Sequence, residues 1–284
     1  MKPLISYYGG KGRMASKIVS YINQIPHTVY VEPFCGGAAV LFNKPRRMVT
    51  NSHHYREVIN DTSDILISLY RCATKCPDEL VLELEATLYS QSDHSRAKVI
   101  CKNPKDYTQL DIAWAYFVNA NSSFSNILNT GWMTSSKGQN FAHTWLNRIT
   151  SLKEQLERLQ SVHISCENAL KCIDRFDSPQ SLFYCDPPYP GTNQGYYEGY
   201  TADDWIALCD KLDSIQGSYI LSNYPQEYKP KTAQQRIEIS ATMTASNGNN
   251  KAKRTEILWI CDRGKSDRPD IQKLLDSSQM GLFA

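Results

Sequence analysis

The sequence predicts an α/β fold, a mostly parallel β-sheet covered on both faces by helices, with a block of helices inserted in mid-chain. Three observations predict it. Seven short segments rich in β-branched and aromatic residues read as strands. Helical periodicities alternate with most of them, which is the pattern of βαβ units. The stretch 72–159 breaks that alternation, reading as helices without a strand.

The elements follow in order. Residues 12–23 carry Met14, Ile18, Val19 and Ile22 at helical spacing. Thr28-Val-Tyr-Val-Glu32 reads as a strand that runs into the turn Pro33-Phe-Cys-Gly-Gly37 and then an apolar helix through Phe42. Glu57-Val-Ile-Asn60 is a second strand, followed by a helix from Asp64 to Arg71. Inside 72–159 the periodicity predicts helices at 78–89, 107–118 and 144–160, the last with Trp145, Ile149, Leu152, Leu156 and Leu159 on one stripe. Asn119 to Asn140 is polar, holds Phe124, Gly131, Trp132 and Gly138, and reads as a surface loop with exposed aromatics. Strand signals resume at 161–165 and 181–185, with a helix at 168–176 between them. Thr201-Ala-Asp-Asp204 is a capping box opening a helix to Ile215. Ser218–Ser222 is a strand, and 236–240 with 256–261 form a terminal hairpin around a polar loop. The domain reading is therefore 1–71 with 160–284 as one sheet domain and 72–159 as a helical insertion.

The 284 residues suffice for one large domain with an insertion. No apolar run approaches the roughly 18–20 residues that span a bilayer. The start, Met1-Lys-Pro-Leu-Ile-Ser-Tyr-Tyr-Gly-Gly, lacks the apolar stretch of a secretory signal, which predicts a cytoplasmic protein. The net charge of +2 is compatible with nucleic acid without demanding it. Positive charge is concentrated at Lys44, Arg46 and Arg47 and again at Lys251, Lys253 and Arg254. The nine cysteines include no paired CxxC sets and read as free thiols in a reducing compartment; no metal is expected.

Four segments carry chemistry. Asp186-Pro187-Pro188-Tyr189 follows the strand 181–185 directly. Two prolines cannot continue a ladder, so they leave a stiff edge of carbonyl acceptors beside a carboxylate and an aromatic ring. Ligands bind at the carboxyl ends of strands in such sheets. An exocyclic amine, with two N–H donors and a weakly nucleophilic nitrogen, suits that edge: the Asp186 carboxylate and the Pro187 carbonyl align it and favour the positive charge it develops on alkylation. Val31-Glu-Pro-Phe-Cys-Gly-Gly37 is a strand, a Gly-rich turn and a helix start, without the GxGxxG spacing of a dinucleotide site. Asn60-Asp61 ends the second strand about 25 residues later, a separation at which an acidic residue binds ribose hydroxyls in doubly wound folds. Tyr7-Tyr8-Gly9-Gly10-Lys11-Gly12 places glycines, aromatics and a lysine before a helix, without the P-loop spacing.

In type, order and spacing these four segments resemble the Dam-like family of N6-adenine DNA methyltransferases. Y-Y-G-G-K is similar to the family's aromatic-x-G-G-K motif, V-E-P-F-C-G-G to its F-x-E-P-F-x-G-x-G loop, I-N-D-T-S-D-I-L-I to its acidic motif and F-Y-C-D-P-P-Y to its catalytic motif. Weaker likenesses lie at Leu221-Ser-Asn223 and Arg254-Thr-Glu-Ile-Leu258. The resemblance covers 1–71 and 160–262 and is diffuse across the insertion.

The resemblance implies a Rossmann-like, seven-stranded methyltransferase sheet in the α-type motif order, with target recognition in the insertion. It implies S-adenosyl-L-methionine as methyl donor, contacted by Tyr7, Lys11, Glu32, Phe34, Gly36, Asp61 and Asp186. Glu32 and Gly36 would shape the methionine pocket and Asp61 would hold the ribose hydroxyls. Asp186, Pro187, Pro188 and Tyr189 would form the catalytic edge, with Tyr189 stacked on an adenine flipped out of the duplex. The loop Gly191–Tyr200 would close over the base. Where members that read GATC carry F-N-G-L-x-R and F-N-V-P-x-G, this chain has Ser123-Phe-Ser-Asn126 and Gly131-Trp-Met-Thr134, so the resemblance supplies no target sequence.

DNA is the expected partner, with a restriction endonuclease beside it or none. Phosphate contacts are expected from Lys44, Arg46, Arg47, Lys137, Lys251, Lys253 and Arg254, and base contacts from Phe124, Asn126 and Trp132. Three rivals are weaker. Cytosine-N4 enzymes of this fold more often carry Ser at the Asp186 position. A module that binds the donor without chemistry has no need of D-P-P-Y, and a nicotinamide oxidoreductase needs the missing phosphate fingerprint.

Overall fold

The computed structural model describes residues 1–7, 9–45, 55–136, 138–189, 199–224, 228–242 and 253–264. Seven strands form one sheet: β1 (Val29–Glu32), β2 (Arg56–Asn60), β3 (Val162–Ser165), β4 (Ser181–Cys185), β5 (Ser218–Asn223), β6 (Gln235–Thr242) and β7 (Lys253–Cys261). Their order is β3-β2-β1-β4-β5-β7-β6. The first five pair in parallel and β7 inserts antiparallel between β5 and β6. The central strands β4 and β5 are buried at every position, as a parallel sheet covered on both faces requires.

Alternation along each strand builds two cores. One face turns Tyr30, Ile59, Tyr184, Ile220 and Leu258 towards α1 (Ala15–Ile22), α3 (Asp64–Lys75) and the inserted helices. The other turns Val31, Val58, Phe183, Leu221 and Trp259 towards α9 (Ala169–Phe176) and α10 (Ala202–Ser214). The short helix α2 (Ala39–Asn43) follows the Gly-rich turn.

The insertion consists of α4 (Pro77–Glu85), α5 (Gln91–Lys102), α6 (Gln109–Ser122), α7 (Phe141–Thr150) and α8 (Leu152–Leu159). Its buried apolar side chains belong to the same core as the sheet's first face. Three sequence expectations change here. The helix expected at 144–160 is two, α7 and α8, which meet at Ser151; helix α5 lies where the sequence predicts none; and α6 runs four residues past 118 through side chains expected in a surface loop. Those polar residues are buried because they satisfy one another. Ser123 Oγ donates to Asn119 Oδ1, which also accepts from the Asn129 amide at 2.9 Å, and His94 Nδ1 lies 2.9 Å from Ser122 Oγ.

The insertion also holds the chain's N-terminal residues. Gln155 Nε2 donates to the Lys2 carbonyl at 3.0 Å. Asn121 bonds both the Leu4 carbonyl and the Ser6 amide, and Arg148 donates to Ser6 Oγ. The segment that leads into Tyr7–Lys11 is thereby fixed from three inserted helices.

Candidate active site

The strand order reverses between β1 and β4, so their carboxyl ends splay apart and open the crevice in which doubly wound sheets bind ligands. Asn60, fully buried at the end of β2, ties the three strand ends together. Its Nδ2 donates to the carbonyls of Pro33 and Glu167, both at 2.9 Å, while its Oδ1 accepts from Ser165 Oγ at 2.9 Å and the Glu167 amide at 3.0 Å. Asn60→Ala would leave four partners unmatched, one in a buried and three in part-buried bonds, and at about 1–3 kcal/mol per buried orphaned group the expected loss is about 2 kcal/mol or more. Urea unfolding checks it; an unchanged midpoint would refute the role.

The turn after β1 is held from below. Cys35 donates its amide to the Asn60 carbonyl at 2.9 Å, Gly36 donates its amide to Asp61 Oδ2 at 3.0 Å, and Tyr70 OH donates to the Gly36 carbonyl at 2.7 Å. Gly36 has φ +46°, and a Cβ there would stand 2.7 Å from the Tyr7 ring; one on Gly37 would stand 2.8 Å from Tyr7 Cβ. The two glycines thus leave room for Tyr7 to lie on the turn.

Beside this turn lies a cavity of about 270 Å³ walled by Phe34, Asp61, Thr62, Asn168, Leu170, Pro188 and Tyr200. That is near the lower end of the roughly 300–1,000 Å³ typical of small-molecule sites. Asp61 enters it with a carboxylate that also accepts the Ser63 amide at 3.0 Å. Phe34 and Tyr200 meet edge to face with centroids 6.2 Å apart.

At the end of β4 a second, charged pole forms. Lys11 Nζ lies 2.7 Å from Asp186 Oδ1, donates to Tyr189 OH at 2.7 Å and lies 3.3 Å from Glu256 Oε2. Tyr189 OH donates to Asp186 Oδ1 at 3.0 Å, and Ser222 Oγ stands 3.2 Å from that hydroxyl and 3.4 Å from Glu256 Oε2. Burial pulls the Lys11 pKa down, and the carboxylates of Asp186 and Glu256 more than reverse it, so the ammonium stays charged. Burial holds the Tyr189 phenol well above its usual range, reinforced by Asp186 and Glu256, so it acts as a neutral donor.

Asp61, Phe34, Gly36 and Tyr7 are brought together around the turn, and Asp186, Tyr189 and Lys11 around the charged pole. Glu32 faces the other way. Its Oε1 accepts from Tyr30 OH at 2.8 Å, and the amide of Leu41 in α2 also donates to it. Burial raises its pKa to about 8, with Tyr30 opposing and Glu57 adding to the rise. The folded protein therefore keeps a proton that the unfolded chain releases near 4.5. This stabilisation is complete below the unfolded pKa and is lost as pH rises through the folded value. The thermal unfolding midpoint of the wild type is expected to fall as pH rises between about 4.5 and 8, and Glu32→Gln to flatten that slope; parallel curves for the two proteins would contradict the assignment.

Lys44 corrects a sequence expectation. Its side chain has no solvent exposure and pairs with Glu57 at 3.0 Å, beside the Arg158–Glu57 pair at 2.7 Å and a bond to Tyr55. A buried, paired ammonium presents no face to a phosphate. Arg46, Arg47, Lys137, Lys251 and Gly191 to Glu198 lie outside the described residues. Lys253 and Arg254 open β7. Phe124 is 58% exposed. It is followed by Ser125 and Asn126, both at positive φ, in a turn closed by the bridge between Ser123 and Trp132. Trp132 itself rests on Tyr89 with centroids 5.6 Å apart.

Sequence reasoning missed Glu256, Thr62, Asn168 and Leu170. For the last two the available signal was position: they follow the carboxyl end of β3, beside β2 and its Asp61. For Glu256 it was a carboxylate immediately before the apolar run Ile257–Cys261.

A mostly parallel sheet with a small-molecule cavity and an acidic, proline-stiffened edge at its switch point defines an α/β enzyme that brings a bound group to a polar acceptor. The family model for D12 class N6 adenine-specific DNA methyltransferases matches residues 7–245, and the chain belongs to that family: it is a DNA adenine-N6 methyltransferase. It is 25% identical over 256 residues to the type II methyltransferase M.MjaIII of Methanocaldococcus jannaschii, covering 78% of this chain and 84% of that protein. It is 21% identical over 268 residues to the type II methyltransferase M.CviBI of Paramecium bursaria Chlorella virus NC1A, covering 85% and 97%. The Retron Ec67 DNA adenine methylase of Escherichia coli is 25% identical over 224 residues, covering 75% of this chain and 73% of that protein. Among solved structures, the rRNA methyltransferase aviRa from Streptomyces viridochromogenes superposes with a TM-score of 0.39 at 10% identity, covering 88% of this chain and 84% of that one.

Proposed function

We propose that the chain takes its methyl group from S-adenosylmethionine and delivers it to the N6 amine of an adenine flipped out of DNA. The observation that carries this reading is the adjacency of two unlike sites at one sheet switch point. A cavity with a carboxylate and aromatic walls adjoins, through Pro188, the acceptor edge at Asp186. The cavity residues fit a nucleoside. Asp61 suits the ribose hydroxyls, and Phe34, Leu170 and Tyr200 suit a flat, apolar base. Tyr7 and Gly36 shape the turn beside them, while Glu32 holds the start of α2 through the Leu41 amide and Lys11 holds Asp186. The bound donor would supply an electrophilic methyl group.

The chain's own residues do the rest. Asp186 and the Pro187 carbonyl accept the two amine hydrogens, which turns the nitrogen lone pair away from them and towards the donor. Their negative charge and dipole favour the positive charge that grows on that nitrogen, and Asp186 is the adjacent base for the proton it then sheds. Tyr189 offers an aromatic surface for the base once Tyr224, now 4.5 Å away, yields its place. Unstacking the adenine costs on the order of a few kcal/mol, returned by these contacts.

Base contacts are assigned to Phe124, Asn126 and Trp132, and phosphate contacts to Lys253 and Arg254 together with Arg46, Arg47, Lys137 and Lys251. DNA affinity should fall with a log–log salt slope near −0.9 per phosphate contacted, and each lysine or arginine removed should flatten it by about one contact. A slope unaltered by Arg254→Ala would strike that residue from the set. The donor assignment is tested by calorimetry. S-adenosylmethionine should bind the wild type and bind Asp61→Ala at least about 10-fold more weakly, the loss of a charged hydrogen-bond acceptor. Equal affinities would overturn it.

A further inference from the structure

The charged pole holds one carboxylate more than it needs for neutrality. Lys11 enters it from the N-terminal segment, Asp186 and Tyr189 from the end of β4, Ser222 from β5 and Glu256 from β7, all within hydrogen-bond or ion-pair reach. Lys11 and Asp186 alone would form a neutral pair. Glu256 adds a second carboxylate whose side chain is only 11% exposed, next to a like charge. Burying a carboxylate beside another is unfavourable, and its pKa is raised first by burial and further by Asp186, with Lys11 opposing. For packing alone, an apolar side chain matching Leu258 and Ile260, which share its face of β7, would serve better.

We infer that Glu256 is a positioning residue for methyl transfer: by sharing Lys11 it leaves the pole with a net negative charge, so that Asp186 faces the target amine as an unneutralised acceptor. The inference rests on the reading of Asp186 as that acceptor. The alkylated nitrogen becomes cationic before it loses its proton, and an overall anionic pole stabilises that charge where a neutral Lys11–Asp186 pair does so only weakly. Glu256 also gives Lys11 a second anchor, from β7, beside the one that Asp186 provides from the end of β4. Ser222, bonded to both Glu256 and Tyr189, completes the frame.

The experiment is steady-state methylation of genomic DNA lacking adenine methylation, with labelled S-adenosylmethionine, by the wild type, Glu256→Gln and Glu256→Asp. Glu256→Gln keeps shape and removes charge. Its kcat should fall about 10- to 100-fold with KM for S-adenosylmethionine within about 2-fold, the signature of an interaction made in the transition state. Glu256→Asp restores the charge and should recover most of that loss, whereas a residue needed only for packing would tolerate Gln at least as well as the shorter Asp. A kcat for Glu256→Gln within about 2-fold of wild type, or an Asp variant no better than Gln, overturns the inference. Should Glu256→Gln fail to fold, Ser222→Ala decides: a several-fold fall in kcat at unchanged KM supports the frame, and unchanged kcat overturns it. An active wild type with an indifferent Glu256 defeats this inference alone; a wild type that methylates no DNA defeats the functional reading beneath it.

Discussion

Asp186→Ala is expected to yield a folded protein that binds S-adenosylmethionine and does not methylate DNA. The fold should survive because Lys11, which loses its partner at 2.7 Å, keeps Glu256 at 3.3 Å and Tyr189 at 2.7 Å, so no buried charge is stranded. Donor binding should be largely kept, because Asp186 is one of seven expected donor contacts and Phe34, Asp61, Leu170 and Tyr200 still wall the cavity. What disappears is the carboxylate proposed to orient the amine and favour its developing charge. Removing one preorganised electrostatic group of this kind costs about 10²–10³ in kcat, and a full negative charge in a sheltered site belongs at or above the top of that range. Circular dichroism and donor titration establish that the variant is intact, and label transfer to DNA measures the loss. Turnover within about tenfold of wild type would remove Asp186 from the chemistry.

Gly36→Ala should have the second largest effect, and on a different quantity. The residue sits at φ +46°, which costs a non-glycine residue about 1–2 kcal/mol. Its new Cβ would stand 2.7 Å from a Tyr7 ring carbon, so the ring must leave the turn. Overpacking of this kind adds about 1–3 kcal/mol. Tyr7 is tethered to Lys11 by a short chain segment whose other end is fixed by Asn121 and Arg148, so displacing the ring also drags the ammonium from Asp186. The expected result is a stability loss of about 2–5 kcal/mol together with weakened donor binding and a lower kcat. Donor affinity and unfolding midpoint both unchanged would show that Tyr7 does not lie where the structure puts it.

A change in the insertion should act on specificity alone. Substituting Trp132 and sequencing the methylated sites should shift their profile while leaving total transfer within a few-fold; an unchanged profile would clear it of base reading.

The parallel strands, the Gly-rich turn after β1 and the proline-stiffened edge after β4 were legible because each depends on local rules: β-branched runs, glycines where the chain turns tightly, prolines where a ladder must stop. The features that were not legible depend on partners distant in sequence. Helix α5 buries only His94, Ala97, Ile100 and Cys101, in a segment otherwise full of Ser, Asp and Lys, so its apolar stripe is thin. Asn119, Asn121, Ser122 and Ser123 look like loop residues until their hydrogen-bond partners at Asn129, Leu4, Ser6 and His94 are in place. Lys44 looks like part of a solvated basic cluster, yet Glu57, thirteen residues on, draws it inside. Glu256 belongs to a hairpin that reads as peripheral, and the insertion of β7 between β5 and β6 brings it inward beside Lys11.

The central claim is that the edge formed by Asp186 and Pro187 accepts an adenine N6 amine. Its most direct test is to incubate unmethylated DNA with the purified enzyme and isotopically labelled S-adenosylmethionine, digest the product to nucleosides and identify the labelled one by mass spectrometry. Label confined to N6-methyldeoxyadenosine, and absent with Asp186→Ala, is the predicted result. Label in N4-methyldeoxycytidine, or N6-methyldeoxyadenosine formed equally well by the Asp186 variant, would contradict it.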